Sequence, residues 1–124
     1  MTVERSAGRD AYDGIPYAEL LIEDIDWSHA EAHIRERGAR KKRTGEFNVE
    51  PTWATEAAFD SKRVIGDSRS QSGESIKVIG YSRTAGRLLA VILVPKSHPP
   101  AGIWWGASAW AANEHDERSY QQRG

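Results

Sequence analysis

Six cationic side chains fall within nine consecutive residues, which is dense enough to neutralise several phosphates of a nucleic acid. They are Arg35, Arg37, Arg40, Lys41, Lys42 and Arg43. Arginine can bind a phosphate through two parallel hydrogen bonds, and release of counterions makes such binding strongly dependent on salt. The alternative is a solvated helix end followed by a loop, because cations also suit the C-terminus of a helix.

A second group of cations, Arg69, Lys77, Arg83 and Arg87, falls on predicted strands and their connections. Arg83 and Arg87 flank a predicted hairpin turn, from which both could reach into a groove. Cations beside a turn also act simply as solubilising groups, and the residues alone leave both interpretations open.

His115, Arg118 and Tyr120 lie on a predicted C-terminal helix. His115 and Arg118 are one turn apart and share a face. Histidine titrates near neutral pH and can transfer a proton, while arginine can hold a developing negative charge. The three residues therefore form a candidate catalytic group, and an exposed, frayed terminal helix is the alternative.

Metal and cofactor chemistry has little support in the sequence. His29 and His33 have the i, i+4 spacing of a ligand pair, but no third ligand stands at a suitable spacing and the chain has no cysteine. Exposed helix histidines are the favoured interpretation, so we expect no metal and no cofactor. A phosphate-binding glycine loop, a nucleophile elbow and an HExxH motif are all absent from the sequence.

The chain has 124 residues, enough for one domain, with a mean hydropathy of −0.65. Its net charge of −1 conceals alternating acidic and basic blocks, so a positive surface remains compatible with near-neutrality. We expect a flexible tail over residues 1–16 and one domain over residues 17–124. No signal peptide and no membrane-length apolar run is visible in the sequence, which predicts a cytoplasmic protein without membrane contact.

The apolar centre of the sequence is Ser75–Pro95, which reads as two strands and a tight turn. Leu88–Val94 is an unbroken apolar run of strand length, typical of a strand covered on both faces. Gly86 can adopt the positive φ that the turn requires. Asp24–Trp27 and Lys62–Asp67 are further predicted strands, and Ile103–Trp110 alternates, with Trp104, Gly106, Ser108 and Trp110 expected on one face.

Three helices are predicted around these strands. Ser28 and Glu31 form a capping box for a helix from His29 to about Arg37. A second helix starts at Pro51, with an apolar stripe of Trp53, Ala54, Ala57 and Ala58 whose end Phe59 can close. Asn113 caps the short C-terminal helix. The predicted class is α+β, with two helices on one face of a curved, mainly antiparallel sheet of four to five strands.

This order of elements resembles the BrnT toxins, a branch of the RelE-like ribonuclease toxins, over about residues 24–122. The segments that carry the resemblance are Asp26-Trp27 with the helix ending at Gly38, WATEAAFD at 53–60, ESIKVIG at 74–80, RLLAV at 87–91 and SAWAANEHDERSY at 108–120. Tyr120 matches the closing tyrosine of the family. The sequence departs from the family at Ser75 or Ile76 and at Trp110 and Ala111, where the family carries basic residues, and at Glu36-Arg37, where it carries Lys-His.

The resemblance implies a toxin of a type II toxin–antitoxin pair that acts on RNA, as a metal-independent endoribonuclease that blocks translation. It implies mRNA as the substrate and a ribbon–helix–helix antitoxin as the partner in a hetero-oligomer. Under this hypothesis RNA is bound by Arg69, Lys77 and the six cations of residues 35–43, here called the basic block. His115, Arg118 and Tyr120 of the C-terminal helix, together with Arg83 and Arg87, are catalytic. The alternative is a non-catalytic member of the fold that binds RNA or a protein, which the departures favour. Trp104 and Trp110 could stack on bases, although a core or antitoxin-facing role is favoured.

Overall fold

The computed structural model describes residues 11–12, 14–30, 49–68 and 74–123. Its strands and α-helices are β1 (Ala11–Tyr12), β2 (Ile15–Pro16), β3 (Asp24–Asp26), α1 (Pro51–Ala58), β4 (Val64–Asp67), β5 (Ile76–Ser82), β6 (Arg87–Pro95), β7 (Ile103–Ala111) and α2 (Glu114–Arg123). A 3-10 turn spans Tyr17–Glu19. The predicted α+β class is confirmed.

Five strands form one mixed sheet in the order β3-β7-β6-β5-β4. The run from β4 to β7 is an antiparallel meander, in which each strand pairs with the next one in sequence. β3 pairs with β7 in parallel and forms one edge of the sheet. The first strand of the sheet therefore lies beside the last, which brings Trp27 against the middle of β7.

The central hairpin of β5 and β6 forms the core, as the apolar run predicts. Leu89, Val91 and Leu93 are completely buried on one face of β6, and Ala90 is completely buried on the other. Gly86 has a φ of 71° in the connecting turn, a conformation that glycine adopts without steric cost.

The predicted alternation of β7 is wrong over its second half because of a β-bulge. Val91 pairs with Ala109 and Leu93 with Gly106, so two residues of β6 that share a face oppose residues of β7 that are three apart. One extra residue in β7 reverses the faces beyond Gly106. Ala109 consequently points into the core and is completely buried, whereas Ser108 and Trp110 lie on the opposite face.

Helix α1 lies close against the core face of β5. It begins with Pro51 at its first turn, as predicted, and buries Ala54, Ala57 and Ala58. Gly80 of β5 permits the close approach, because a Cβ there would lie 1.9 Å from the carbonyl oxygen of Ala57. Phe59 does not close the end of the apolar stripe as predicted, since its side chain is 42% exposed.

Helix α2 packs on the other face of the sheet, the face of Lys77 and Ile79. Asn113 caps it as predicted: the Asp116 amide donates to Asn113 Oδ1 at 2.8 Å, and the Asn113 amide donates to Asp116 Oδ2 at 3.1 Å. Of the two helices expected on one face, α1 is observed. The other, predicted from His29 to about Arg37, lies outside the described residues beyond Ala30, and residues 28–30 form a turn.

Part of the predicted tail is folded against the domain. β1 and β2 pair as a small antiparallel hairpin. Tyr12 is 8% exposed, belongs to the core cluster, and donates its hydroxyl to the Glu74 carbonyl at 2.9 Å. The tail prediction is therefore wrong for the hairpin residues of 11–16. A single buried aromatic anchors this short segment, which shows no periodicity in sequence.

Candidate functional site

Two concave regions are lined by candidate residues, which are Lys77 and His115 in one and Arg83 in the other. The first, here called the polar cleft, lies between α2 and strands β4 and β5 and encloses about 620 Å³. It is lined by Val64, Gly66, Asp67, Ser68, Lys77, Ile79, His115, Asp116 and Ser119. Two residues singled out from the sequence, Lys77 and His115, therefore face the same cleft although 38 positions separate them in the chain.

Asp116 fixes the floor of the polar cleft. Its side chain is completely buried, and it forms an ion pair with Lys77 through Oδ1 while Oδ2 accepts the helix-capping hydrogen bond from Asn113. The Lys77 ammonium also lies 5.9 Å from the centre of the Trp110 ring. Lys77 is thus held in one position, and much of its charge is balanced by Asp116 rather than presented freely to solvent.

His115 is an exposed residue of the polar cleft, as is Asp67. It precedes Asp116 and lies one turn before Ser119, which lines the same wall. Its accessible imidazole can exchange a proton with a group bound in the cleft. Arg118 is exposed on α2 but does not line the cleft, so the structure separates it from the partner expected on one helix face.

Tyr120 is committed to an internal hydrogen bond. Its hydroxyl donates to Asp60 Oδ2 at 2.5 Å, and Asp60 also accepts from the amides of Tyr81 at 2.9 Å and Lys62 at 3.0 Å. Desolvation, together with the hydrogen bond to Asp60, raises the pKa of Tyr120 to about 12. Tyr120 therefore stays protonated near neutral pH and positions α2 rather than acting as a base.

The second region, here called the aromatic groove, runs beside α1 and encloses about 700 Å³. It is lined by Trp27, Pro51, Thr52, Thr55, Glu56, Phe59, Asp60, Ser61, Tyr81 and Arg83. Arg83 is the predicted catalytic residue found here, on the exposed hairpin turn after β5. The groove and the polar cleft are thus associated with helices on opposite faces of the sheet.

The two carboxylates of the aromatic groove are held by hydrogen bonds. Glu56 accepts from Ser82 Oγ at 2.7 Å, from Thr84 Oγ1 at 2.8 Å and from the Thr84 amide at 3.1 Å. These bonds, Ser82 first, lower the pKa of Glu56. For Asp60, partial burial works to raise the pKa, but the bonds from Tyr120 and two amides outweigh it and the pKa is lowered. Both groups are ionised at neutral pH.

Sequence reasoning missed Glu56 and Asp60 as site residues. Glu56 lies on α1 and Asp60 lies two residues after its end, and no pattern in the sequence marked the two as a pair. Nothing local indicated that Glu56 would meet the turn after β5 or that Asp60 would meet Tyr120. Those contacts depend on how α1 crosses the sheet.

The remaining candidates fall outside both regions. Arg87 is exposed at the start of β6, opposite Ser82. Trp104 is completely buried and donates its indole N–H to the Leu21 carbonyl at 2.9 Å, so it belongs to the core rather than to a base-stacking surface. The cations Arg35, Arg37, Arg40, Lys41, Lys42, Arg43 and Arg69 lie outside the described residues.

His29, weighed above as a metal ligand, stacks on Trp105 with ring centres 4.2 Å apart. Lys96 lies over the same ring at 4.0 Å and also pairs with Asp26 at 2.9 Å. His33 is outside the described part, within which no group of three or more histidine, aspartate or glutamate side chains is arranged to hold a metal ion.

None of the described helices is both long and apolar enough to span a bilayer. A scan of the sequence against protein-family models finds no match, and a search among curated proteins finds no significant match.

Proposed function

We propose that the protein acts on RNA as a RelE/BrnT-like toxin and that the polar cleft is the site of contact with the scissile phosphate. The observation that carries the proposal is the convergence of His115 and Lys77 on one cleft from α2 and β5. Histidine can move the proton of a ribose hydroxyl, and lysine can balance charge developing on a phosphate. No metal is required for this chemistry.

Two further features support the proposal. From β3 onward, the described elements run strand, helix, four-strand antiparallel meander and helix. This order is compatible with the one on which the resemblance rests, whose first helix lies outside the described residues. Trp110 occupies a position where the family carries a basic residue, and the Lys77 ammonium lies beside its ring. A cation is therefore present beside the position at which, according to the resemblance, this chain lacks a basic residue of the family.

One observation favours the second candidate function, a non-catalytic module that binds RNA or a protein. Lys77 is paired with the buried Asp116 and Tyr120 is bonded to Asp60, so two of the expected site residues are occupied by internal contacts. Arg83 lines the aromatic groove rather than the polar cleft, and Arg87 lines neither. Under this alternative, substitution of His115 has no consequence, because no turnover depends on it.

The deciding experiment compares His115→Ala with Gln121→Ala, a matched exposed position on α2. We expect wild-type expression without a partner to arrest growth and reduce protein synthesis, and we expect His115→Ala alone to relieve it. With purified protein, His115→Ala should retain RNA binding and lose at least tenfold in cleavage rate, because general acid–base catalysis contributes roughly 100-fold or more. Cleavage should persist in EDTA.

A second experiment tests the basic block as an RNA-holding surface. Replacing Arg40, Lys41, Lys42 and Arg43 with Ala should weaken RNA binding and reduce the slope of log affinity against log salt by up to about 3, since each neutralised phosphate of a single strand contributes about 0.7. Normal growth at high soluble expression of the wild type would contradict the hypothesis that the protein is a toxin. Unchanged RNA binding in the quadruple variant would contradict the RNA surface.

A further inference from the structure

We propose that the aromatic groove is a docking site for an arginine side chain carried by an extended segment of a partner protein. Two exposed rings and two fixed carboxylates line the groove, and this combination matches a planar cation. The inference does not depend on RNA binding, because the polar cleft proposed for RNA involves a different helix and different residues.

The exposed rings supply the apolar part of the site. Phe59 and Tyr81 are 42% and 43% exposed, and both line the groove. A guanidinium group stacks on aromatic faces and is more weakly hydrated than an ammonium. Cation–aromatic contacts of this kind contribute about 0.5–1 kcal/mol at exposed sites and more where water is excluded. The exposure of Phe59 leaves its ring available for such a contact.

The carboxylates supply the charge, and each retains an acceptor position. Among the described residues, Glu56 Oε2 accepts only from Thr84 Oγ1, and Asp60 Oδ1 accepts only from the Lys62 amide. A carboxylate oxygen can accept two hydrogen bonds, so each of these oxygens can receive one more donor. The hairpin turn and the backbone amides hold both groups in place, which removes the cost of ordering them on binding.

Charge favours a cation as the occupant of this groove. Among the described residues that line it, the two carboxylates outnumber the cation Arg83, and a cation placed between them is attracted to both. Both carboxylates have lowered pKa values, so near neutral pH they are ionised and can accept hydrogen bonds from a guanidinium group.

The test titrates isotope-labelled full-length protein with the peptide Ac-Gly-Arg-Arg-Gly-NH2 and follows the backbone amide resonances. The control peptide carries citrulline in place of arginine, which keeps the shape and removes the charge. We expect the arginine peptide to shift the amides of Glu56, Phe59, Asp60 and Tyr81, and the citrulline peptide to bind at least fivefold more weakly. A lysine version should bind more weakly than the arginine peptide.

Variants link the shifts to the groove. Phe59→Ala and Glu56→Gln should each weaken peptide binding at least threefold, whereas Leu21→Ala, at an exposed apolar residue, and Glu117→Gln, at an exposed acid on α2, should not. A melting curve for each variant checks that the fold is intact. Because Phe59 and Leu21 are both exposed, loss of folding does not explain a difference between them.

Several outcomes would overturn the proposal. Equal binding of the arginine and citrulline peptides would mean that the charge of the peptide does not contribute to binding. Resonance shifts centred on the acidic first turn of α2 would mean that the peptide is attracted non-specifically to acidic residues. Competition by a single-stranded RNA oligonucleotide at the same amides would assign the groove to nucleic acid. Shifts that depend on protein concentration without peptide would reveal a second copy, and shifts produced by replacing Arg40, Lys41, Lys42 and Arg43 would assign the groove to the chain's own cations.

Discussion

The two described helices pack on opposite faces of the sheet and are held by different forces. α1 touches β5 through backbone and small side chains, with Ala57 directly over Gly80. α2 contains no large aliphatic residue, and polar contacts fix it: Asp116 pairs with Lys77 and Tyr120 bonds to Asp60. The first helix is therefore sensitive to added volume, and the second to lost partners.

The same contrast separates the two candidate sites. The aromatic groove borders a close-packed helix, and its carboxylates are fixed by the hairpin turn. The polar cleft borders a helix whose position depends on an ion pair at the floor of the cleft. Substitutions at that ion pair affect function and stability together, so His115 is the informative position for RNA chemistry and Lys77 is not.

The largest expected effect comes from Gly80→Ala at the contact with α1. The new Cβ would lie 1.9 Å from a backbone oxygen, and a backbone atom cannot move aside as a flexible side chain can. We expect a loss of about 3 kcal/mol or more in the free energy of unfolding, at or above the upper end for overpacking. Chemical denaturation measures the loss.

Gly66→Ala in β4 is the matched control, since a Cβ at Gly66 meets no atom within 4 Å. It should be neutral or slightly stabilising, because alanine loses less backbone entropy on folding. Equal destabilisation by both substitutions would show that strand glycines matter generally here, and that the close approach of α1 has no special role.

Lys77→Met should have the next largest effect, on α2. It leaves the completely buried Asp116 without its cation. Breaking a fully buried ion pair from one side typically costs about 3–5 kcal/mol, and because the Lys77 side chain is 23% exposed we expect a loss below that of Gly80→Ala. Adding Asp116→Asn should recover part of the loss, because the uncompensated buried charge is removed. A double-mutant cycle by urea denaturation measures the coupling, with Lys62→Met as an exposed control. No recovery in the double variant would count against the ion pair.

Tyr120→Phe should weaken the second polar contact of α2 by about 1–2 kcal/mol at neutral pH, the range for a hydrogen bond to a charged group that is partly exposed. The raised pKa of Tyr120 sets the upper limit of this contribution: it is present below the ordinary tyrosine pKa of 10.0 and is lost as the pH rises toward about 12. The lowered pKa of Asp60 sets the lower limit, because the contribution falls away on acidification below 3.8.

Denaturation curves for the wild type and Tyr120→Phe across this pH range measure the Tyr120 contribution. Tyr81→Phe is the control, since Tyr81 is exposed and contacts Asp60 through its amide rather than its hydroxyl. Equal stability of the wild type and Tyr120→Phe at neutral pH would indicate that packing of the ring, and not the bond to Asp60, holds the helix.

The smallest expected effect is that of Phe59→Ala at the end of α1. Removing a buried phenylalanine typically costs about 3–5 kcal/mol, but Phe59 is 42% exposed and its removal should cost only about 1 kcal/mol, in proportion to the apolar area that it buries. Thermal unfolding beside the wild type measures it. A loss in the range of a buried aromatic would restore Phe59 to the core and remove it from the aromatic groove.

The sequence alone determined the elements that depend on local signals. Pro51 at the start of α1, Asn113 before α2, Gly86 in the turn and the apolar run of β6 each act within a few residues. The antiparallel meander from β4 to β7 followed from these signals, because short connections favour the pairing of neighbouring strands. His115 and Lys77 were recognisable by type, although not as neighbours.

The tertiary structure alone decided the rest. The parallel pairing of β3 with β7, the bulge that turns Ala109 inward and the burial of Tyr12 all involve residues far apart in the chain or one inserted residue. The aromatic groove exists because α1, the turn after β5 and Tyr120 meet at Glu56 and Asp60. Local propensity carries no information about contacts between distant segments. Close packing of the core and pairing of buried polar groups are achieved only when those segments come together.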